Sequence, residues 1–421
     1  MPLRKNILAN YVGTGFVVLA PMLALPYYLH ALGSSVWGLV GFIAALQAVL
    51  TMIDAGMSQT LVREFALRLD VGSGSKNATA ALLFGFERIY WAFALIAGCI
   101  VALLASFIAK NWLNLGDLPI ALGQQAVYGA AALFAVQFPG SVYRSLLVGA
   151  QAHVKLNGVL LSGAFLRHIG AIAVVTIWPT LMAYLIWHIA IAFLETLVRA
   201  KLAWGILSTK RSSIGWQIDE LRPTWTIIAS MSGAAFFGVL TVQMDKIILS
   251  RMVSIEQFGY YVIASTVATG LLQLIYPLLQ ASLPRAIHLR NQPANLYKLN
   301  IKLFKAIVFI AGLVIIGYVF IGKFVLITWL KNAQVAEVVY HLLAALLIGT
   351  LLNAFYNIGY INWIAHERVR IIFQVYVLSF VMTAILVPIF VVQFGTIGAA
   401  FGWIVINLIG FICSLGWIKR T

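Results

Sequence analysis

The sequence predicts an all-α polytopic membrane protein with about twelve transmembrane helices in two six-helix bundles. Three observations carry that prediction. Of the 421 residues, 62% are hydrophobic and only 10% charged, with a mean hydropathy of +0.97, whereas a soluble globular domain has about a quarter charged residues. The apolar runs are long and continuous, not alternating as in a barrel strand. Only helices and closed barrels satisfy their backbone in lipid, so these runs are helices. The third observation is a likeness between the two halves of the chain, developed below.

Taken in order, the runs place spans near 8–29, 37–58, 80–108, 122–146, 157–178, 181–202, 224–248, 258–282, 305–329, 338–362, 371–393 and 397–417. The start, MPLRKNILANYVGTGFVVLAPMLALPYYL, has a basic flank and an apolar run too long for a signal-peptide core, and no A-x-A site closes it. It is expected to be the first span. Short polar connectors separate the spans, the widest near 59–79, 203–223 and 283–304, and none can hold a folded domain. Cys99 and Cys413 both fall in spans and suggest neither a disulfide nor a metal site; both are expected to be small buried residues.

The net charge is +16. With the N-terminus placed in the cytoplasm, most lysines and arginines lie in inside connectors, while Lys110, Arg251, Lys323 and Lys331 lie outside. That asymmetry puts both termini on the cytoplasmic side. The charge then reads as topology signal and as attraction to anionic membrane lipid, and it gives no support for a nucleic-acid partner.

The twelve spans divide into residues 1–210 and 211–421. At an offset of 221 residues VWGLV meets QFGYY, so that Gly38 meets Gly259, Leu50 meets Leu271 and Gln59 meets Gln280. One residue further on, Arg63 meets Arg285 and Arg68 meets Arg290. At an offset of 213, AHVK (152–155) meets AHER (365–368), and Tyr143 meets Tyr356. Transporters are often built from such repeats, with the substrate site between them.

The stretch LGSSVWGLVGFIAALQAVLTMIDAGMSQTLVREFA resembles the second helix of the polysaccharide flippases, with its Gly-bearing start, D-x-G and basic loop. QMDKIILSRMVSIEQFGYYVIAS resembles their seventh-to-eighth helix junction, and LLQASLPRAIHLR the helix end that follows. These are the Wzx-type O-antigen and lipid-linked oligosaccharide flippases of the MOP superfamily, which also holds the MATE exporters and the lipid II flippases. The resemblance implies two six-helix bundles forming a V around a cavity that opens alternately to each side. The implied cargo is an undecaprenyl-pyrophosphate-linked sugar repeat, moved from inner to outer leaflet with a proton or sodium ion as coupling partner. It also admits association with polysaccharide polymerase machinery. No cofactor and no enzymatic activity are expected; no Walker A sequence, H-E-x-x-H or cysteine cluster is present, and the seven histidines have no ligand spacing.

A charge at the centre of a membrane helix costs at least ~2.5 kcal/mol, so each one is a functional candidate. Arg167 lies ~15 Å into its span by helical rise. It either faces a wet cavity or pairs with an acid such as Glu195. Arg88 follows Glu87 at ~12 Å depth, and adjacent residues diverge by ~100°, so these two do not pair with each other. Arg88 either lines the cavity or anchors at the interface. Asp245 and Lys246 lie in TVQMDKIILS, ~31 Å from Trp225, at the outer mouth. They are expected to point apart, as an interfacial Lys with a capped Asp or as a gate or pyrophosphate contact.

The loop cations Arg63, Arg144 and Arg285 are candidates for collecting the pyrophosphate, which Arg matches bidentately; the plainer reading is ordinary positive-inside charge. Asp54 and Glu195, together with Glu87 and Asp245, are candidates for ion coupling, because burial raises a carboxyl pKa. Asn10 and Thr14 in span one and Gln47 in span two either meet sugar hydroxyls or hold helices together. Pro21, Pro26, Pro139, Pro277 and Pro388 are expected to kink spans one, four, eight and eleven. The rival readings are a MATE-like multidrug cation antiporter, whose cargo a cationic cavity would repel, and a membrane glycan polymerase or ligase, which the absence of a large outer loop disfavours.

Overall fold

The computed structural model describes residues 19–418 except 53, 71–74, 208–210, 212–213 and 217. Asn10 and Thr14 lie outside the described residues. The described residues are almost wholly helical. The helices are α1 (Leu19–Leu32), α2 (Ser34–Thr51), α3 (Asp54–Asp70), α4 (Ser75–Leu103) and the short α5 (Ala105–Phe107). There follow α6 (Ile120–Gln137), α7 (Gly140–Gly149), α8 (His153–Ile177), α9 (Leu181–Leu207), α10 (Ile218–Met252) and α11 (Ile255–His288). The last are α12 (Pro293–Gly317), α13 (Lys323–Leu330), α14 (Ala333–Ala365), α15 (Val369–Phe394) and α16 (Thr396–Ser414).

Ten helical stretches among the described residues are long and apolar enough to cross a membrane. The remaining two expected spans correspond to α1, which is short within the described residues, and to α10, whose sequence carries acidic and basic residues at both ends. The breaks between helices have local causes. Gly33 and Gly395 adopt positive φ, 82° and 63°, between α1 and α2 and between α15 and α16, a region that glycine enters without steric cost. Ser254 caps α11 by accepting from the Gln257 N–H, and Asn332 caps α14 by accepting from the Val335 N–H at 3.1 Å.

The chain divides into two compact units, residues 1–236 and 237–421, so the division falls inside α10. Within the first unit two expected spans are each broken into two helices. The expected span 37–58 ends at Thr51, and α3 starts afresh at Asp54. The span 122–146 breaks at Phe138–Pro139, where proline cannot donate to the preceding turn. Their repeat counterparts in the second unit, α11 and α14, run without interruption, and α11 continues through Pro277 and Pro284. Pro388 likewise stays inside α15. Both units carry a π-helical segment, Ile108–Trp112 after the span formed by α4 and Tyr318–Gly322 between α12 and α13 inside one long span.

The first unit is centred on Leu61 and Phe65 of α3, Leu82, Phe86 and Tyr90 of α4, Phe134 of α6 and Tyr143 of α7, with Phe138 at the α6–α7 break. Rings of Phe134 and Phe138 lie 4.8 Å apart, and Tyr90 and Phe138 5.0 Å. In the second unit α14 is central, packed against α11 and α16. Small residues permit that approach: a Cβ on Gly359 would meet Ser414 at 2.4 Å, and one on Gly349 would meet Trp403 at 2.4 Å. Cys99 and Cys413 are exposed, not buried as expected. A thiol is apolar enough to stand on a hydrocarbon-facing surface, so an apolar run does not tell inside from outside.

The α3–α7 contact sets one test. A Cβ at Gly149 would lie 2.9 Å from both Phe65 Cβ and Val62 O and 3.0 Å from Ala66 N, and backbone atoms cannot swing aside. Gly149→Ala is expected to destabilise the protein by about 1–3 kcal/mol, read as a lowered thermal midpoint in detergent; an unchanged midpoint refutes this packing.

Candidate functional site: intramembrane charges and a basic end

Arg167 lies near the midpoint of α8, too deep for an unpaired charge. Its Nη2 donates to Glu195 Oε1 at 2.7 Å, and Arg199 Nη2, one turn along α9 from Glu195, donates to Oε2 at 2.8 Å. One carboxylate thus serves two guanidiniums, leaving the triad one formal positive charge in excess. Glu195 and Arg199 are buried, while the Arg167 side chain keeps 22% of its surface. Gly163 makes room for the arrangement, since a Cβ there would fall 2.1 Å from Glu195 Oε1. Thr196 next door donates to the Val136 carbonyl at 2.8 Å, fixing the register of α9 against α6.

Glu87 and Arg88 diverge as the helical period requires. Glu87 is 1% exposed, pairs with Arg211 and accepts from Trp204 Nε1 at 3.0 Å. Arg88 turns outward, exposed, with its guanidinium 3.6 Å above the Phe84 ring. Asp54 opens α3, where Ser58 Oγ and Tyr90 Oη donate to its Oδ1 at 2.6 and 2.7 Å. Gln47 acts as a tie between helices: its Nε2 donates to the Ala130 carbonyl of α6 at 2.5 Å. Arg63 is exposed and pairs with its neighbour Glu64 at 3.1 Å, and Arg144 is exposed.

Asp245 is 1% exposed, and its Oδ2 accepts from Tyr261 Oη at 2.5 Å. The expectation that Asp245 and Lys246 point apart is corrected here. Lys246 Nζ lies 3.6 Å from Asp245 Oδ1, and the Lys246 backbone N–H donates to the same oxygen at 2.7 Å. The Cα–Cβ directions diverge, but a four-carbon stem is long enough to curl back.

Arg285, near the end of α11, joins Lys298, Lys302 and Lys305, which follow one face of α12 at spacings of four and three residues, around a cavity of about 560 Å³. Tyr297 is shared with a second cavity of about 440 Å³ lined by Arg290, Arg368 and His366 beside the tryptophans Trp363 and Trp417. Asn300 and Asn362 exchange reciprocal amide hydrogen bonds, at 3.2 and 3.0 Å, in its wall. Apart from Arg290, which pairs with Glu367 at 2.9 Å, these cations are matched by no acid in the lining of either cavity. Sequence reasoning singled out Arg285 but not its α12 partners, although K-L-N-I-K-L-F-K spells their common face.

A cavity of about 290 Å³ elsewhere in the second unit is lined by tyrosines and asparagines and was not anticipated. Its signal was present in N-A-F-Y-N-I-G-Y, where Asn353, Tyr356, Asn357 and Tyr360 share one helical face. Apolar helices hide such polar faces when they are read only for length.

The triad sets the second test. Glu195→Gln strands the buried Arg199 and the half-buried Arg167 and is expected to cost about 3–5 kcal/mol, seen as loss of monodisperse protein. Replacing Arg167, Glu195 and Arg199 together by methionine is expected to restore folding. A stable Glu195→Gln protein would show that water, not Glu195, satisfies the arginines.

No protein-family model matches the sequence, and no curated protein matches it. Solved structures do. The lipid II flippase MurJ in an inward closed conformation superposes with a TM-score of 0.73 at 16% identity, over 99% of this chain and 87% of that one. An inward-facing multidrug resistance MATE family transporter of the MOP superfamily gives 0.72 at 13% identity, over 94% and 93%. The eukaryotic MATE transporter AtDTX14 gives 0.59 at 11% identity, over 99% and 97%. The chain is a multi-pass helical membrane protein with the fold of these MOP-type transporters.

Proposed function

We propose that the protein is a MOP-superfamily flippase for an undecaprenyl-pyrophosphate-linked oligosaccharide repeat, such as an O-antigen unit, carried from the inner to the outer leaflet. The observation that carries this reading is the cluster of Arg285, Lys298, Lys302 and Lys305 around one open cavity. A pyrophosphate has several oxygens and more than one negative charge. Arginine meets such oxygens in pairs, and lysines add mobile point charges. A cation exporter gains nothing from such a mouth, because like charges lower the local concentration of its cargo. The excess charge of the Arg167 triad acts in the same sense inside the first unit.

For coupling, Asp54 is the acid we favour. Glu87, Glu195 and Asp245 each have a basic partner, whereas the hydrogen bonds to Asp54 come from two neutral hydroxyls. A carboxyl so placed can accept a proton without stranding a cation. The second reading, a MATE-like antiporter of organic cations, draws on a fold likeness almost as close as that to the flippase.

Deleting the gene in its host and following the leaflet in which the lipid-linked repeat accumulates separates the two. The expected outcome is an inner-leaflet trap, relieved by the wild type. Arg285→Glu with Lys302→Glu is expected to lower the rate of rescue by about tenfold or more. Unaltered surface glycan with new sensitivity to cationic drugs would replace the flippase by the exporter. In proteoliposomes, Asp54→Asn is expected to remove the dependence of transport on a pH gradient, and persistence of that dependence excludes Asp54 as the proton site.

A further inference from the structure

The cavity of about 290 Å³ in the second unit is of another kind. It is bounded by α10, α11, α14, α15 and α16, and among the described residues no charged side chain lines it. From α11, α14 and α15 come Tyr276, Tyr356, Tyr360 and Tyr376, whose hydroxyls lie close enough to influence one another. Tyr356 is 8% exposed and its hydroxyl, though beside that of Tyr376, makes no hydrogen bond of normal geometry. A buried hydroxyl without a partner carries a desolvation cost that a ligand can remove.

The rest of the wall is fixed in place. Asn353 Nδ2 donates to Asn407 Oδ1 at 2.7 Å, Asn407 Nδ2 to the Trp403 carbonyl at 2.8 Å, and Trp403 Nε1 to Thr350 Oγ1 at 3.2 Å. Asn357 Nδ2 donates back to Asn353, and among the described residues no donor meets its own Oδ1. Gly238 and Gly410 give the rings their room: a Cβ at either would stand 3.2 Å from Tyr376 and 3.1 Å from Tyr356 respectively. The result is a rigid amide frame presenting tyrosine hydroxyls and aromatic faces.

From this we infer that the cavity is a binding site for an uncharged sugar ring. A charged ligand there would lose its hydration without meeting a counter-charge. A sugar offers what the wall lacks: hydroxyls that both donate and accept, against hydroxyls and an amide oxygen that do the same. Its C–H faces suit aromatic surfaces. The volume lies just under the roughly 300–1,000 Å³ of small-molecule sites, so it takes one ring or a short terminal segment. As the saccharide contact of a lipid-linked cargo, the site rests on the flippase reading above and adds a determinant of sugar choice separate from the basic end.

The test is calorimetric titration of the purified, detergent-solubilised protein with methyl glycosides of hexoses, 6-deoxyhexoses and N-acetylhexosamines, and with tetraphenylphosphonium as a cationic probe. At least one neutral glycoside is expected to bind. Tyr356→Phe, which removes a hydroxyl that makes no hydrogen bond of normal geometry with its neighbour Tyr376, is expected to weaken it about three- to tenfold at an unchanged thermal midpoint. Tyr360→Phe is expected to act in the same direction. The inference is overturned if no glycoside binds the folded wild type or if both variants bind as it does. It is equally overturned if tetraphenylphosphonium binds more tightly than every glycoside and the variants weaken that binding instead. Glycoside binding without an inner-leaflet trap in the deletion strain leaves this site standing and removes the flippase; the trap without glycoside binding does the reverse.

Discussion

A polar group in hydrocarbon must find its partner within the protein, and that constraint runs through every part of this chain. Its sharpest expression is Glu195, held between Arg167 and Arg199 in the depth of the first unit. Two helices are joined there by one carboxylate, and Gly163 leaves the space in which it sits. Beside it the Thr196 hydroxyl adds a bond to the backbone of α6. The charges therefore act as structure first. Whatever they contribute to cargo comes from the surplus, one guanidinium more than the carboxylate can neutralise.

The same economy separates the polar features by chemistry. Buried and half-buried acids are given donors: Trp204 and Arg211 for Glu87, Tyr261 and Lys246 for Asp245, Ser58 and Tyr90 for the half-buried Asp54. Four cations, Arg285, Lys298, Lys302 and Lys305, line one cavity at the basic end of the second unit, on α11 and α12. The neutral cavity between the tyrosines of α11, α14 and α15 is the third kind, with hydrogen-bonding capacity and no charge. A cargo made of a pyrophosphate and sugars needs both a cationic and a neutral surface, and the second unit supplies the two at different places.

The two units are not alike in where their helices are interrupted. Each carries a π-helical segment, Ile108–Trp112 and Tyr318–Gly322. Yet in the first unit α2 ends at Thr51 and the fourth span breaks at Phe138–Pro139, whereas the second unit keeps α11 and α14 whole. The Asp54 carboxyl of α3 lies within reach of the Tyr90 hydroxyl of α4. Asp54 and the neutral cavity thus lie in different units.

The sequence by itself determined the helical membrane class, the approximate spans and the presence of charges at depth. Hydropathy is a sum over a run of residues, and twenty apolar side chains leave lipid as their only solvent. It also determined that Glu87 and Arg88 part company, because the helical period alone separates neighbours. What it left open was decided by tertiary structure. Which acid meets Arg167, whether Lys246 curls back to Asp245, and whether Cys99 faces inward depend on contacts between residues far apart in the chain or on a flexible stem. The tyrosine-lined cavity belongs to the same class, since five helices must converge before four hydroxyls can share one space. Period and composition fix what a helix is; only its neighbours fix what each face meets.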